Sequence, residues 1–211
     1  LDFIKKYMDL LALHNMNIFQ WHLTDDQGWR LEVKKYPELT TVGSIRKETL
    51  IGHLNSLPNL FDNTPYGGFY TQEEAREIVA YAADRFITVI PEVDLPGHML
   101  AAMTAYPHLG CTGGPYEVGT KWGVFEDVLC VGKESTFTFL DDVFTELIDI
   151  FPGQYIHIGG DECQKVRWEA CSACQKKIKE LGFTGDEEHT KEQQLQSYCM
   201  SRIEKFMNGK G

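Results

Sequence analysis

This 211-residue sequence has few basic residues, no long apolar run and no repeated metal-ligand spacing. Lys and Arg number 20 against 31 Asp and Glu, giving a net charge of −11, and basic clusters are no longer than pairs such as Lys5-Lys6, Lys34-Lys35 and Lys176-Lys177. Such a surface argues against nucleic acid and anionic membrane as partners. No apolar stretch approaches the roughly 20 residues of a membrane-spanning helix. There is no signal peptide to read either. Residue 1 already lies in an amphipathic helical pattern, so the sequence reads as cut from something longer. Six cysteines leave the compartment open. Cys171-x-x-Cys174 has neither a second CxxC nor a His-x-x-x-His partner and reads as a surface pair rather than a zinc site, while Cys111 and Cys130 flank a loop and could form a disulfide.

What is present is a repeated alternation of helical and extended patterns. Residues 1–15 place Phe3, Tyr7, Leu10, Leu11 and His14 on one helical face. "NIFQWHLT" follows as a strand. The stretch 71–85 begins with a capping box, Thr71 and Glu74, and carries Ala75, Ile78, Val79 and Ala82 inward. "FITVIPEV" is then a strand whose nearly continuous apolarity predicts cover on both faces, hence a parallel sheet. A third helix over 136–150, with Phe139, Leu140, Val143, Phe144, Leu147 and Ile148 inward, precedes a third strand, "YIHIGG". Helical patterns at 166–181 and 190–207 close the chain. The fold class is α/β with right-handed crossovers.

Connections from helix to strand are short, whereas those from strand to helix run over 25–70 and 93–134. Elaboration therefore sits at the carboxyl edge of the sheet, where α/β folds bind ligands. The strand ends supply His22, Asp25, Asp26, Gln27, Trp29 and Arg30, then Glu92, Asp94 and His98, then His157, Asp161 and Glu162. Each alone reads as a cap or a satisfied core histidine. Together they offer Asp-Asp, Glu-x-Asp and Asp-Glu, and carboxylates buried in pairs split their pKa values into an acid and a base. That is the requirement of acid-assisted bond cleavage, with His98 and Asp25 as a relay to the acid.

The stretches "WHLTDDQGWRLEVKKYPELT", "IPEVDLPGH", "LGCTGGPYEV…WGVFEDVLC" and "HIGGDE" resemble, in order and spacing, glycoside hydrolase family 20, the β-N-acetylhexosaminidases, and most closely its secreted bacterial members. The resemblance implies a (β/α)8 TIM barrel, of which about strands 2 to 4 lie here, so that 1–211 is one partial catalytic domain. It implies retaining hydrolysis of terminal β-linked N-acetylglucosamine or N-acetylgalactosamine through an oxazolinium intermediate. Glu162 maps to the general acid/base and Asp161 to the residue that orients the substrate's 2-acetamido group. Asp25 and His98 map to the pair that supports the acid. Asp26, His22, Asp94 and His157 are expected at the pocket or directly behind it, Trp29 and Trp122 are candidates to stack on sugar, and Cys111 and Cys130 are expected to form a disulfide or close thiols. The partner is a glycan, no metal or cofactor is implied, and the expected location is periplasmic or extracellular.

Strand 1 of such a barrel would precede Leu1 and strands 5 to 8 would follow Gly211. Open sheet edges then predict self-association, and the missing pocket wall predicts little or no activity from this piece alone. Three alternatives stand beside the main reading: a relative releasing a disaccharide such as lacto-N-biose, a metal-dependent hydrolase using His22, His98 and His157, and a non-catalytic sugar-binding piece.

Overall fold

The computed structural model describes residues 1–210. In chain order it runs α1 (Asp2–Leu13), β1 (Ile18–His22), β2 (Thr24–Asp25), β3 (Gly28–Trp29), α2 (Glu38–Thr41), β4 (Ile45–Arg46), β5 (Leu50–Ile51), β6 (Leu60–Phe61) and β7 (Tyr66–Gly67). Then follow α3 (Gln72–Ala83), β8 (Thr88–Glu92), α4 (Leu100–Ala105), α5 (Glu134–Ile150), α6 (Val166–Ala170), α7 (Ser172–Glu180) and α8 (Lys191–Asn208). The centre is a parallel pair: β1 lies against β8 in a register that runs from Ile18↔Thr88 to His22↔Glu92. The expected third strand is reduced to one parallel bridge, Glu92↔His157, flanked by His157 N–H to Pro91 O at 2.9 Å and Val93 N–H to His157 O at 3.0 Å. Gly159 and Gly160, at φ 62° and 115°, turn the chain out of the extended form immediately afterwards.

α3 starts where its capping box predicts. Thr71 Oγ1 accepts from Glu74 N at 3.1 Å and Glu74 Oε2 accepts from Thr71 N at 2.9 Å, an arrangement worth about 1 kcal/mol. α8 repeats the device with Thr190 and Gln193. α5 supplies the densest part of the core through Phe137, Phe139, Leu140, Val143, Phe144 and Leu147. The long connection after β1 is organised by three two-residue antiparallel ladders and by the Arg30 guanidinium, which donates to Ser44 O at 2.7 Å, Gly68 O at 2.8 Å and Gln27 O at 3.1 Å.

Several expectations need correction. In α1 the buried residues are Ile4 and Met8, and Phe3 is 79% exposed, because the helix meets the sheet with the stripe next to its aromatic one. The cover expected on both faces of β8 is incomplete: Val89, Pro91 and Glu92 are buried, whereas Ile90 is half-buried and Thr88 exposed. Phe86 is not in the strand; at φ 58° and 90% exposed it belongs to the turn before it. The 166–181 helix breaks at Cys171 into α6 and α7. Cys171 and Cys174 are not a surface pair, since Cys174 is buried and both face Cys130. Cys111 and Cys130 are close free thiols, the second of the two outcomes expected of them, within a four-cysteine group. A hairpin-like bridge, Gly110↔Leu129, brings those two onto α7, a contact no linear spacing announces.

Candidate active site

Register places the site. In a parallel sheet, residues paired across strands project to the same face, and His22, Glu92 and His157 occupy one such row at the carboxyl edge. Glu92 is buried between the two imidazoles: its Oε2 stands 3.2 Å from His22 Nδ1, its Oε1 3.2 Å from His157 Nδ1, and Gln20 Nε2 donates to Oε2 at 2.6 Å. In the sequence Glu92 stands at a strand end without a role. Its signal was position alone, a carboxylate in register with two histidines.

From His22 the network continues outward. His22 Nε2 lies 3.1 Å from Asp25 Oδ2, and Asp25 Oδ1 lies 3.3 Å from His98 Nδ1. Asp26 Oδ2 approaches the same nitrogen at 3.1 Å. On the other side of the ring, His98 Nε2 faces Glu162 Oε2 at 3.4 Å and Asp161 Oδ2 at 3.9 Å. One imidazole thus joins the carboxylates of the first strand end to those of the third. The carboxylates beyond it reach solvent, with the Asp161 side chain 66% exposed and that of Glu162 54%.

The electrostatics follow from these contacts. Asp25 and Asp26 push His98 up to about 11, so it is an imidazolium at neutral pH. His22 rises to about 9 through Asp25 and Glu92. Burial works against the Asp25 carboxylate, but hydrogen bonds from His22, His98 and the Asp26 amide more than offset it and hold the group well below the usual carboxylate range. Asp94 moves the other way, up to about 6, because burial outweighs the Gly160 N–H that its Oδ1 accepts at 3.2 Å and neighbouring Asp161 adds repulsion. Gly159 is required by that packing, since a Cβ on it would lie 1.6 Å from Asp94 Oδ1.

Of the residues expected at the pocket, His22 and His157 stand half-exposed at its rim. His22 also lines a cleft of about 420 Å³ with Trp21, Arg30, Tyr66, Phe69 and Tyr70. A second cleft of about 380 Å³, between α5, α8 and residues 153–158, has none of these carboxylates in its wall. Asp26 and Asp94 are buried and offer a ligand no surface, so of the two positions expected for them, at the pocket or behind it, they take the second. Asp26 instead fixes His98 and accepts from Leu100 N at 3.0 Å. Trp29 is likewise no stacking platform: it is 1% exposed, donates to Leu31 O at 2.6 Å and packs edge-on against Phe139. Trp122 is 53% exposed, with His53 as its aromatic neighbour.

Neither His22 nor His157 joins His98 in a metal-sized cluster among the described residues; the groups that contain His98 set it beside Asp25 and Asp26 and beside Asp94 and Asp161. α8 pins the loop from behind, Gln196 Nε2 donating to Gly160 O at 2.6 Å, a contact without a sequence signal.

The whole chain, residues 1–211, matches the family model described as glycosyl hydrolase family 20, catalytic domain. It is 50% identical over 208 residues to a beta-hexosaminidase of Porphyromonas gingivalis, covering 99% of this chain and 24% of that protein. With a beta-hexosaminidase of Akkermansia muciniphila the identity is 39% over 189 residues, covering 89% and 36%. Among solved structures, a beta-N-acetylhexosaminidase superposes with a TM-score of 0.88 at 36% identity, covering 98% of this chain and 41% of that one. A Vibrio harveyi exo beta-N-acetylglucosaminidase in complex with N-acetylglucosamine gives 0.79 at 35%, covering 98% and 31%. This chain spans about a quarter to a third of the length of such curated relatives.

Proposed function

This chain belongs to glycoside hydrolase family 20, and from that premise we propose that it carries the acid-bearing edge of a retaining β-N-acetylhexosaminidase. The observation that carries the reading is His98, held by Asp25 and Asp26 on one nitrogen and turned toward Glu162 and Asp161 on the other. Glu162 delivers a proton to the glycosidic oxygen from its solvent-facing side. The imidazolium 3.4 Å behind it stabilises the carboxylate left when that proton departs. Asp161 orients the substrate's 2-acetamido group, whose oxygen attacks the anomeric carbon and forms the oxazolinium intermediate. Adjacent residues serve because no protein nucleophile is needed on the opposite face of the sugar.

His22 and His157 bind sugar hydroxyls at the rim, with Glu92 fixing both rings, and Trp122 offers an exposed stacking face. The chain supplies about three barrel strands, and exposed apolar residues such as Phe3, Leu13 and Phe86 favour self-association of the isolated piece. We place the protein outside the cytoplasm, on the family resemblance.

The test is nitrophenol release from the aryl β-glycoside of N-acetylglucosamine by the chain and by Glu162→Gln, both verified as folded. With its pocket wall incomplete, the 211-residue chain is expected to turn over slowly or not at all, and a longer form bearing the remaining strands to be active. Loss of about 10²-fold or more in Glu162→Gln of the active form is the expected result. Undiminished activity there would remove Glu162 as the acid.

A further inference from the structure

The four cysteines nearest the loop tips form a group of their own. Cys111 Sγ lies 3.8 Å from Cys174 Sγ, Cys130 Sγ lies 3.7 Å from Cys171 Sγ and 3.6 Å from Cys174 Sγ, and all four sulfurs fall within 4.8 Å of one another. A disulfide needs about 2.05 Å. A tetrahedron of thiolates around Zn²⁺, with Zn–S near 2.3 Å, has edges of about 3.8 Å. We propose that Cys111, Cys130, Cys171 and Cys174 bind one zinc ion as a closed tetrathiolate site.

The surroundings suit that charge. Cys171 caps the N-terminus of the nine-residue α7 and Cys174 lies in its first turn, where the helix dipole favours thiolates. Lys133 Nζ, which donates to His108 O at 2.9 Å and Gly110 O at 2.8 Å, sets a cation beside Cys130. The backbone is committed to the same approach. At Gly132 a Cβ would come within 2.2 Å of Ala173 C and 2.4 Å of Cys174 N, so the 130–133 turn is pressed directly onto α7.

Four protein ligands leave no open coordination position, which makes the site structural rather than catalytic. Its effect is to tie the long segment after β8, which carries His98, to the segment after Asp161 and Glu162. The same seam holds Arg167 on Asp127, Nε to Oδ1 at 2.8 Å, and Trp168 Nε1 on Leu129 O at 2.8 Å. Metal would therefore fix the spacing of the two loops that meet at His98.

Metal analysis of the protein purified without chelator, together with titration of its thiols, tests this. The expected result is about one zinc per chain that survives gel filtration, with the four thiols protected from a thiol reagent until a strong chelator is added. Replacing zinc with Co²⁺ should give thiolate-to-metal charge-transfer absorption in the near ultraviolet. Cys171→Ser/Cys174→Ser should lose the metal, and Cys199→Ala, outside the group, should keep it. Should that double variant fail to fold, the cobalt spectrum of the unaltered chain decides alone. Protein that stays metal-free after zinc addition, with freely reactive thiols, overturns the proposal. So does a mass short of four hydrogens, the mark of two disulfides.

Discussion

His98 and Glu162, whose side chains face each other at 3.4 Å, both hold left-handed backbone conformations, at φ 53° and 48°. Neither is glycine or asparagine, and each such residue costs about 1–2 kcal/mol. The surrounding structure sustains both. Leu100 N is fixed by Asp26 two residues after His98, and Gln196 holds Gly160 two residues before Glu162. Two strained residues in contact at adjoining strand ends are what a site held in one geometry requires.

His98→Asn should therefore act through Glu162. His98 is a positioning residue, so kcat is expected to fall about 10²-fold in the active form with KM little changed. The alkaline limb of the pH–rate profile should move as well. A purely structural role would lower the folded fraction and leave the profile's shape intact, and steady-state kinetics across pH separate the two outcomes.

The same histidines set the pH dependence of stability. His98 at about 11 and His22 at about 9 keep their protons in the folded chain where an unfolded histidine releases them near 6.5. Their ion pairs stabilise fully below pH about 6.5, and that contribution is lost as pH rises through the folded values. The slope for His98 is up to about 1.4 kcal/mol per pH unit, and that for the half-exposed His22 is smaller. Thermal melting is expected to fall steadily from pH 7 to 9.5, and more shallowly in His98→Asn. A flat profile would mean that the imidazolium is not held as described.

Trp29→Ala and Trp122→Ala should separate cleanly. Trp29 fills the core beside Phe139 and its loss should cost about 3–5 kcal/mol, read by denaturant unfolding. Trp122 is exposed, and its replacement should leave stability within about 0.5 kcal/mol while raising KM if its ring meets sugar.

Gly159→Ala introduces a methyl 1.6 Å from Asp94 Oδ1 at a φ of 62°. Strain and overpacking together should cost about 3 kcal/mol, or roughly 6–12 °C in melting temperature for a chain of this size. Activity should be lost with it, because Asp94 and the Gly160 amide hold the turn into Asp161.

Much of this arrangement was legible in the sequence, and the exceptions share a cause. β1, β8 and the α3 cap follow from local pattern, and the gathering of carboxylates at one edge follows from the long strand-to-helix connections. What failed depended on which surfaces meet. In α1, Ile4, Met8, Leu11 and Ala12 repeat the spacing of Phe3, Tyr7, Leu10 and Leu11, and only the docked sheet chooses between the two stripes. Trp29 follows a strand end as a sugar-stacking residue would, yet the turn of β2 into β3 points it inward. The cysteines were legible only as two separate pairs, because the contact of Cys111 and Cys130 with Cys171 and Cys174 is made by tertiary packing rather than by spacing.

The pairing of Asp26 with His98 spans 72 residues, and the β1–β8 ladder beneath it is equally non-local. Loops of that length must close before either contact gives any return, so the chain meets most of its entropic cost before the site exists. Helices such as α5 and α8 can form from local contacts alone. In refolding, helical signal should accordingly recover well ahead of the His98–Glu162 contact, and a chain interrupted partway would be largely helical and catalytically empty.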